Sequence, residues 1–294
     1  MNTPSPVCVW QVEAELGEGP VWQHSEGAVY FVDIKGRYLH RLSVETGEKT
    51  TWRAPSEPGF VLPLSDSTFV CGLRDGLYRF DVEDGKFSQI VSVEVDLPGN
   101  RLNDGFVDSE GHLWFGSMDD SEKKPTGSLY RLEDSGGVTM RDAGYVITNG
   151  PATSPDNQTL YHTDTLEKTV YAFDVNELGE LSRRRVFTTI SGTGYPDGMT
   201  VDVDGFVWVA LFGGGRVERY SPDGALVEQV PFPCSNITKL TFGGDDLRTA
   251  YVTTARKGLS PEDILQQPLA GGLFSFRTET PGKAQARCTR GLTP

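Results

Sequence analysis

An aromatic residue flanked by small or β-branched neighbours recurs six times along the 294-residue chain. The recurring residues are Tyr30, Phe69, Trp114, Tyr161, Trp208 and Tyr251, with 39 to 47 residues between successive members. A second short apolar segment follows each of them, as at residues 77–80 and 129–132. Short segments of this composition, separated by turns rich in Gly, Pro, Asp and Asn, are typical of β-strands. Six such repeats indicate a β-propeller.

The repeats fill residues 14–276 and predict an all-β fold, a six-bladed β-propeller with four-stranded blades. Residues 7–13 precede the first repeat without a partner of their own, so we expect them to close the last blade as its outer strand. Residues 278–294 then form a tail, and residues 261–267 allow a short helical turn. We expect one domain over residues 1–294. A large β-sandwich is the structural alternative, but it does not explain six equal repeats.

The charge of the chain limits the partners that it can bind. A formal net charge of −14 disfavours nucleic acid and anionic membranes. The sequence has no apolar run long enough to span a membrane, and residues 1–6 lack the features of a signal peptide. The four cysteines form no CxxC pair, so we expect reduced thiols in a cytoplasmic protein. We also expect a monomer that acts on a small molecule.

Equivalent positions of different repeats surround one axis in a propeller, so the residues that begin each innermost strand meet at one mouth of the channel. Counting back from each aromatic leads to Glu18, Asp104, Asn149 and Asp197 in four repeats, and to Thr238 in the sixth. Four of these six equivalent positions, which we call the column, therefore carry a carboxylate or a carboxamide, and each of the four is followed by Gly.

Turn formation explains each Asp-Gly or Asn-Gly pair taken alone. Glu18, however, is a poor turn former and occupies the same column. Converging oxygen atoms repel one another unless a cation lies between them, and a hard divalent cation suits such ligands. No His or Cys joins the column, which is not typical of zinc. We therefore expect one divalent metal ion, and Ca²⁺, Mn²⁺, Fe²⁺ and Zn²⁺ all remain open.

Five segments around these residues resemble the regucalcin/gluconolactonase/luciferin-regenerating family. They are residues 16–20 (LGEGP), 100–105 (NRLNDG), 114–118 (WFGSM), 148–151 (TNGP) and 196–199 (PDGM). The resemblance runs from residue 16 to residue 276, and several motifs in the same order make it specific. Residues 255–259 and 268–272 look most like the bacterial sugar lactonases of this family, such as xylonolactonase.

The resemblance implies a six-bladed propeller in which Glu, Asn and Asp hold one metal ion. These ligands match Glu18, Asn149 and Asp197, which the repeat register had already brought together. Asp104 is then expected to support the turn or the metal ligands. His162 lies in the middle of a strand, where we expect it to pack in the core rather than to bind a ligand.

The resemblance also implies that Arg101 and Asn103 contact the substrate. Mammalian members use an acidic residue on the loop after the third aromatic strand, and the matching position here is Ser121. Asp119 and Asp120 lie next to it and are our candidates for the same contact. The turn alone offers another explanation for Asn103, whose side chain could bond to backbone.

The implied reaction is metal-dependent hydrolysis of a sugar lactone to the aldonic acid, with a pentonolactone such as xylonolactone or arabinonolactone as substrate. The metal polarises the lactone carbonyl, and Arg101 stabilises the charge that develops there. Asp197 is expected to carry the proton, although it could instead only hold the metal.

Three other functions stay open. A non-catalytic binding propeller would not need the acidic column. A metal-dependent esterase or phosphotriesterase usually adds histidines near its metal, and none occurs in this column. A calcium-buffering role is disfavoured because three protein ligands leave the ion too open.

Overall fold

The computed structural model describes residues 5–292, and these residues form six antiparallel sheets of four strands each. The chain begins with β1 (Val7–Trp10) and the first blade, which consists of β2 (Gly17–Gln23), β3 (Ala28–Asp33), β4 (Tyr38–Ser43) and β5 (Lys49–Arg53). The second and third blades consist of β6 (Phe60–Pro63), β7 (Thr68–Leu73), β8 (Gly76–Asp81), β9 (Phe87–Ser92), β10 (Asn100–Val107), β11 (Leu113–Asp119), β12 (Gly127–Leu132) and β13 (Val138–Tyr145).

The second half of the chain continues the same pattern. The fourth and fifth blades consist of β14 (Thr148–Thr153), β15 (Thr159–Asp164), β16 (Thr169–Val175), β17 (Leu181–Thr189), β18 (Tyr195–Val201), β19 (Val207–Phe212), β20 (Arg216–Tyr220) and β21 (Leu226–Pro231). The last blade contains β22 (Ile237–Gly243), β23 (Thr249–Thr254) and β24 (Leu273–Arg277), with the short helix α1 (Pro261–Gln266) before β24. The six-bladed propeller predicted from the repeats is confirmed.

The N-terminal strand closes the ring, as predicted. β1 pairs antiparallel with β24, and Val7 lies opposite Ser275 in a sheet ordered β1-β24-β23-β22. The strand ends at Trp10, three residues before the predicted end at residue 13. Because the last blade takes strands from both ends of the chain, opening this blade would break the ring.

Burial decreases from the axis to the rim of each blade. Every residue of β2 and β14 is buried, whereas β5 alternates between exposed and half-buried positions. The recurring aromatics fill the space between blades, where the rings of Tyr30 and Phe69 lie 4.4 Å apart and those of Trp22 and Tyr251 lie 5.7 Å apart. The repeated aromatic column is therefore the packing between neighbouring blades.

A β-bulge marks the beginning of five of the six innermost strands. The register shifts between Glu18 and Val21 in β2, and equivalent shifts occur near the beginnings of β10, β14, β18 and β22. β6 pairs with β7 in regular register. Bulges redirect side chains and are frequent beside functional sites. Here they bring side chains from different blades to one mouth of the channel.

The C-terminal tail crosses the opposite end of the channel. Gly282 pairs with Asp202 of the fifth blade, and Lys283 Nζ donates to the carbonyl of Thr153 in the fourth (3.2 Å). Further along, the amide of Cys288 donates to the carbonyl of Pro63 in the second blade (2.8 Å). Residues 283–286 line a small cavity of about 60 Å³ at that end. Among the described residues, no helix has the length and apolar character that a membrane span needs.

Candidate functional site

A larger cavity, of about 290 Å³, opens at the end of the channel where the innermost strands begin. The sequence predicted five site residues from β2, β10, β14 and β18, and all five line this cavity. They are Glu18, Arg101, Asn103, Asn149 and Asp197. The repeat register therefore brought together side chains that are up to 179 positions apart in the sequence.

Two carboxyl groups face each other at the base of the cavity. Glu18 and Asp197 are only 5% and 7% exposed, and their side chains are within hydrogen-bonding reach of each other. Burial and the charge of Asp104 raise the pKa of Glu18 to about 8. Burial and the charge of Glu18 raise the pKa of Asp197 well above its usual range. Without a cation between them, the two groups retain a proton that isolated carboxyls would lose.

The amide of Asn149 is held in one orientation beside this pair. Its Nδ2 donates to Thr165 Oγ1 (2.9 Å), and that hydroxyl donates to the carbonyl of Pro196 (3.0 Å). Its Oδ1 accepts one hydrogen bond, from Asn103 Nδ2 (3.0 Å). An amide oxygen has two lone pairs, so one remains available to a further partner.

Two carboxylates and one amide oxygen form a donor set that suits a hard divalent cation. The repulsion between the two buried carboxyls supports this fit, since a cation between them would remove it. Within residues 5–292, no three His, Cys, Asp or Glu side chains group closely enough to hold a metal ion. A third protein ligand at this mouth would have to be of another residue type, and the amide oxygen of Asn149 lies beside the two carboxyls.

Arg101 and Asn103 form a hydrogen-bonded chain that leads to Asn149. The guanidinium of Arg101 is 2% exposed, its Nε donates to Asp120 Oδ1 (2.9 Å) and its Nη1 donates to Asn103 Oδ1 (2.6 Å). Asn103 in turn donates to the carbonyl of Thr148 (2.7 Å). These bonds fix both side chains on the wall of the cavity before any ligand arrives.

Asp119 and Asp120 do not line the cavity, in contrast to the contact that we expected from them. Asp119 Oδ2 accepts hydrogen bonds from Ser121 Oγ (2.6 Å) and from the amides of Lys123 and Lys124 (2.9 Å each). These bonds lower the pKa of Asp119 to about 2. Its oxygens are thus engaged in folding the loop.

Asp120 is engaged by three cations. Lys35 and Arg74 each donate to it at 2.6 Å, in addition to the bond from Arg101. Burial acts to raise the pKa of Asp120, but the bonds from Lys35 and Arg74 and the charge of Arg101 hold it well below its usual range. Asp120 therefore positions Arg101, which lines the cavity, and does not face the cavity itself.

Glu122 and Lys257 line the cavity although the sequence analysis did not single them out. Glu122 lies on the loop after β11, Lys257 lies on the loop after β23, and their side chains form an ion pair. Both loops are long, which is the signal that could have indicated them. Which of the many charged side chains in these loops faces inward depends on loop hydrogen bonds that the sequence does not specify.

Asp104 lies deeper in the channel than its neighbour Asn103. Its carboxylate forms an ion pair with Lys239 of β22, which also donates to the carbonyl of Gly105 (3.2 Å). Both residues are buried, and Asp104 does not line the large cavity. In the third repeat, therefore, the bulge in β10 brings Asn103 to the cavity and directs Asp104 towards Lys239.

Part of the cavity wall is apolar. Leu166, Tyr195 and Phe212 line it from the fourth and fifth blades, and Leu166 and Tyr195 are 41% and 42% exposed. Asn149 and Asp197 come from these same two blades, and the other charged and amide side chains of the cavity come from the first, third and sixth blades. A few oriented polar groups beside an apolar wall are typical of small-molecule sites.

Comparison with known proteins agrees with this architecture. Residues 16–256 match the family described as SMP-30/Gluconolactonase/LRE-like region. The 6-deoxy-6-sulfogluconolactonase of Pseudomonas putida is 34% identical over 281 residues, which are 95% of this chain and 96% of that protein. The L-arabinolactonase of Azospirillum brasilense is 36% identical over 279 residues, 92% of this chain and 91% of that protein.

A solved structure is similar over almost the whole length. The crystal structure of regucalcin from Agrobacterium tumefaciens, described as a calcium-binding protein, has a TM-score of 0.92 and 30% identity and covers 97% of each chain. The family match spans most of the described propeller, and the relatives extend over nearly all of it. The chain belongs to the SMP-30/gluconolactonase/LRE-like family.

Proposed function

We propose that this protein is a metal-dependent sugar lactonase that hydrolyses an aldonolactone, with pentonolactones such as xylonolactone or arabinonolactone as substrates. The observation that carries the proposal is the pair of buried, mutually repelling carboxyls, Glu18 and Asp197, beside the oriented amide of Asn149 at the base of an open cavity. Relatives named as lactonases, among them the L-arabinolactonase of Azospirillum brasilense, support the reaction class.

Glu18, Asn149 and Asp197 would hold one divalent cation, which supplies Lewis acidity to the lactone carbonyl when bound. Their donor atoms are all oxygens, which suits a hard ion. The calcium-binding description of the Agrobacterium regucalcin supports a divalent ion at this kind of site. Ca²⁺, Mn²⁺, Fe²⁺ and Zn²⁺ are the ions to compare.

The remaining steps belong to side chains of the cavity. Arg101, held by Asp120 and Asn103, donates to the oxygen on which negative charge develops as water adds to the carbonyl carbon. Asp197 accepts the proton of that water and returns it to the ring oxygen as the ring C–O bond breaks. The product is the open-chain aldonic acid, so no co-reactant other than water is required.

The histidines give no support to an esterase or phosphotriesterase with a histidine-assisted metal. None of the four histidines of the chain lines the cavity. His162 is fully buried, stacks edge-on against Tyr145 with ring centres 4.7 Å apart, and has no hydrogen-bond partner for either ring nitrogen. These contacts fit a residue of the core.

Acid release from freshly prepared aldonolactones tests the proposal, with purified protein before and after chelation and with the spontaneous rate subtracted. We expect hydrolysis that chelation abolishes and that one added divalent ion restores. Glu18→Gln should lose this activity, whereas Glu110→Gln, at an exposed carboxylate outside the cavity, should retain it. No rate above background with any lactone and any ion would overturn the proposal in favour of a binding propeller.

A further inference from the structure

We propose that Lys257 is a specificity-determining residue, which together with Glu122 binds a hydroxyl group of a neutral sugar lactone at the end remote from the reacting carbonyl. The inference rests on the proposed function and deepens it by assigning the residues that recognise the far substituent of the lactone. Its basis is the ion pair that these two side chains form across the mouth of the cavity.

The exposure of the side chains places this pair at the outer end of the cavity. The side chains of Lys257 and Glu122 are 31% and 37% exposed, in contrast to the almost fully buried Glu18 and Asp197 at the base. A lactone whose carbonyl lies near the base therefore extends its far substituents towards Lys257 and Glu122.

Hydrogen bonds fix the main chain of Lys257, so its side chain extends towards the cavity from a defined position. The amide of Lys257 donates to the carbonyl of Glu15 (2.8 Å), and its own carbonyl accepts from Asn236 Nδ2 (3.0 Å). Lys257 is also the one lysine among the residues that line this cavity in the described chain. A fixed backbone with an adaptable side chain suits the recognition of a substituent.

Glu122 is presented by a tight turn. Its amide donates to the carbonyl of Asp119 (2.9 Å), and its backbone has φ of 58°, in the left-handed region that residues other than Gly rarely adopt. An ion pair between such exposed side chains contributes little to stability, so a ligand can enter between them at low cost.

The charges of the cavity favour a neutral hydroxyl over an ionic substituent. A hydroxyl both donates and accepts, and the pair offers one acceptor in Glu122 and one donor in Lys257. An anion would be repelled by Glu122, and a cation by Lys257. A divalent ion would balance Glu18 and Asp197, and Glu122 pairs with Lys257, so this outer pair has no net charge for an ionic substituent to neutralise.

The test compares three lactones on four proteins. The substrates are a neutral pentonolactone, an unsubstituted lactone of the same ring size and 6-phosphogluconolactone. The proteins are the wild type, Lys257→Met, Lys257→Arg and Lys124→Met, the last removing an exposed ammonium from the loop of Glu122 outside the cavity. Melting temperatures check that every variant is folded.

We expect Lys257→Met to lower kcat/KM for the pentonolactone about 10- to 100-fold, because a charge-assisted hydrogen bond is lost. The unsubstituted lactone should change less than about threefold, since it makes no such bond. Lys257→Arg should recover part of the loss, and Lys124→Met should behave as the wild type. Lys257→Met should also weaken the binding of a five-carbon sugar alcohol, measured by calorimetry, by about the same factor as it lowers kcat/KM for the pentonolactone.

Equal losses on the substituted and the unsubstituted lactone would overturn the inference, because Lys257 would then act on the shared ring. Preference of the wild type for 6-phosphogluconolactone, lost in Lys257→Met, would also overturn it in favour of an anion site. Both outcomes leave the lactonase proposal intact, which fails only if the wild type hydrolyses no lactone.

Discussion

Buried carboxylates lie at both ends of the propeller, and their surroundings are opposite. At the tail-covered end, Asp202 Oδ1 accepts the amides of Asp204 and Phe206, and Oδ2 accepts Trp208 Nε1 and the guanidinium of Arg219. Asp108 repeats the arrangement in the third blade with two amides and the indole of Trp114.

The carboxyls at the open end have few donors. Glu18 accepts a hydrogen bond from the amide of Gly19 (2.8 Å), and otherwise faces Asp197. The comparison teaches that burial alone does not separate structural from functional acids. The number of N–H donors that surround each carboxylate distinguishes the structural acids from the functional ones.

The largest expected effect is on activity at the open end. Asp197→Ala should lower kcat at least about 1000-fold, because the proton carrier and a proposed metal ligand are lost together. The melting temperature of the metal-free protein should not fall, since the change removes a repelling carboxyl. Turnover near that of the wild type would show that Asp197 carries no proton.

The corresponding change at the other end should affect stability. Asp202→Ala leaves two amides, an indole N–H and Arg219 without their acceptor, which should cost about 3–5 kcal/mol of unfolding free energy. Activity at low temperature should stay within a few-fold of the wild type, because Asp202 does not line the large cavity. Denaturant unfolding measures the first effect. An unchanged midpoint of denaturant unfolding would show that Asp202 does not stabilise the fold, and the proposed difference between the two ends would be wrong.

Proton linkage sharpens the comparison further. Since the pKa of Glu18 is raised to about 8, Glu18 holds a proton in the metal-free native state that it loses in the unfolded chain above about pH 4. The contribution of Glu18 to stability should therefore decrease as pH rises from about 4 to about 8. A divalent ion must displace the proton, so its affinity should be higher at pH 8 than at pH 6. Calorimetry at both values checks this, and equal affinities would contradict it.

The smallest expected effect concerns His162, buried between the two ends. Burial and the charge of Arg184 lower the pKa of His162 to about 3. In the unfolded chain His162 binds a proton below its ordinary pKa of about 6.5, whereas in the folded protein it does so only near pH 3. The stability of the fold is therefore lost as pH falls from about 6.5 to about 3. His162→Leu should shift the midpoint of acid unfolding down by roughly 0.3 pH unit. His24→Leu, at an exposed histidine, is the control and should not shift it.

The repeat pattern was sufficient to predict the propeller and the closing strand, because strand periodicity and interblade aromatics are encoded locally. It also brought Glu18, Asn149 and Asp197 to one cavity, since repeats in register converge on the axis. The position of Asn103 rather than Asp104 at the cavity depended on a bulge, and bulges shift register by one residue without a clear sequence signal.

The loop after β11 shows a second limit of the sequence. Three acidic residues, the last residue of β11 and two in this loop, occur within four positions, and composition does not distinguish them. Asp119 folds the loop, Asp120 holds Arg101, and Glu122 faces the cavity. Their side-chain directions follow from hydrogen bonds to residues that are distant in the sequence, such as Lys35 and Arg74.

The C-terminal tail has a kinetic consequence. The cavity that the tail lines and the large cavity share no lining residue, and the buried pair of Asp104 and Lys239 lies in the channel near both. Under the proposed function, the lactone would enter the large cavity, and the acid would leave it, at the end of the channel that the tail does not line. Bound aldonic acid would exclude the lactone from this cavity, so we expect the product to inhibit competitively. Initial rates with added aldonate measure this, and a decrease of kcat at saturating lactone would show that the acid binds elsewhere, together with the substrate.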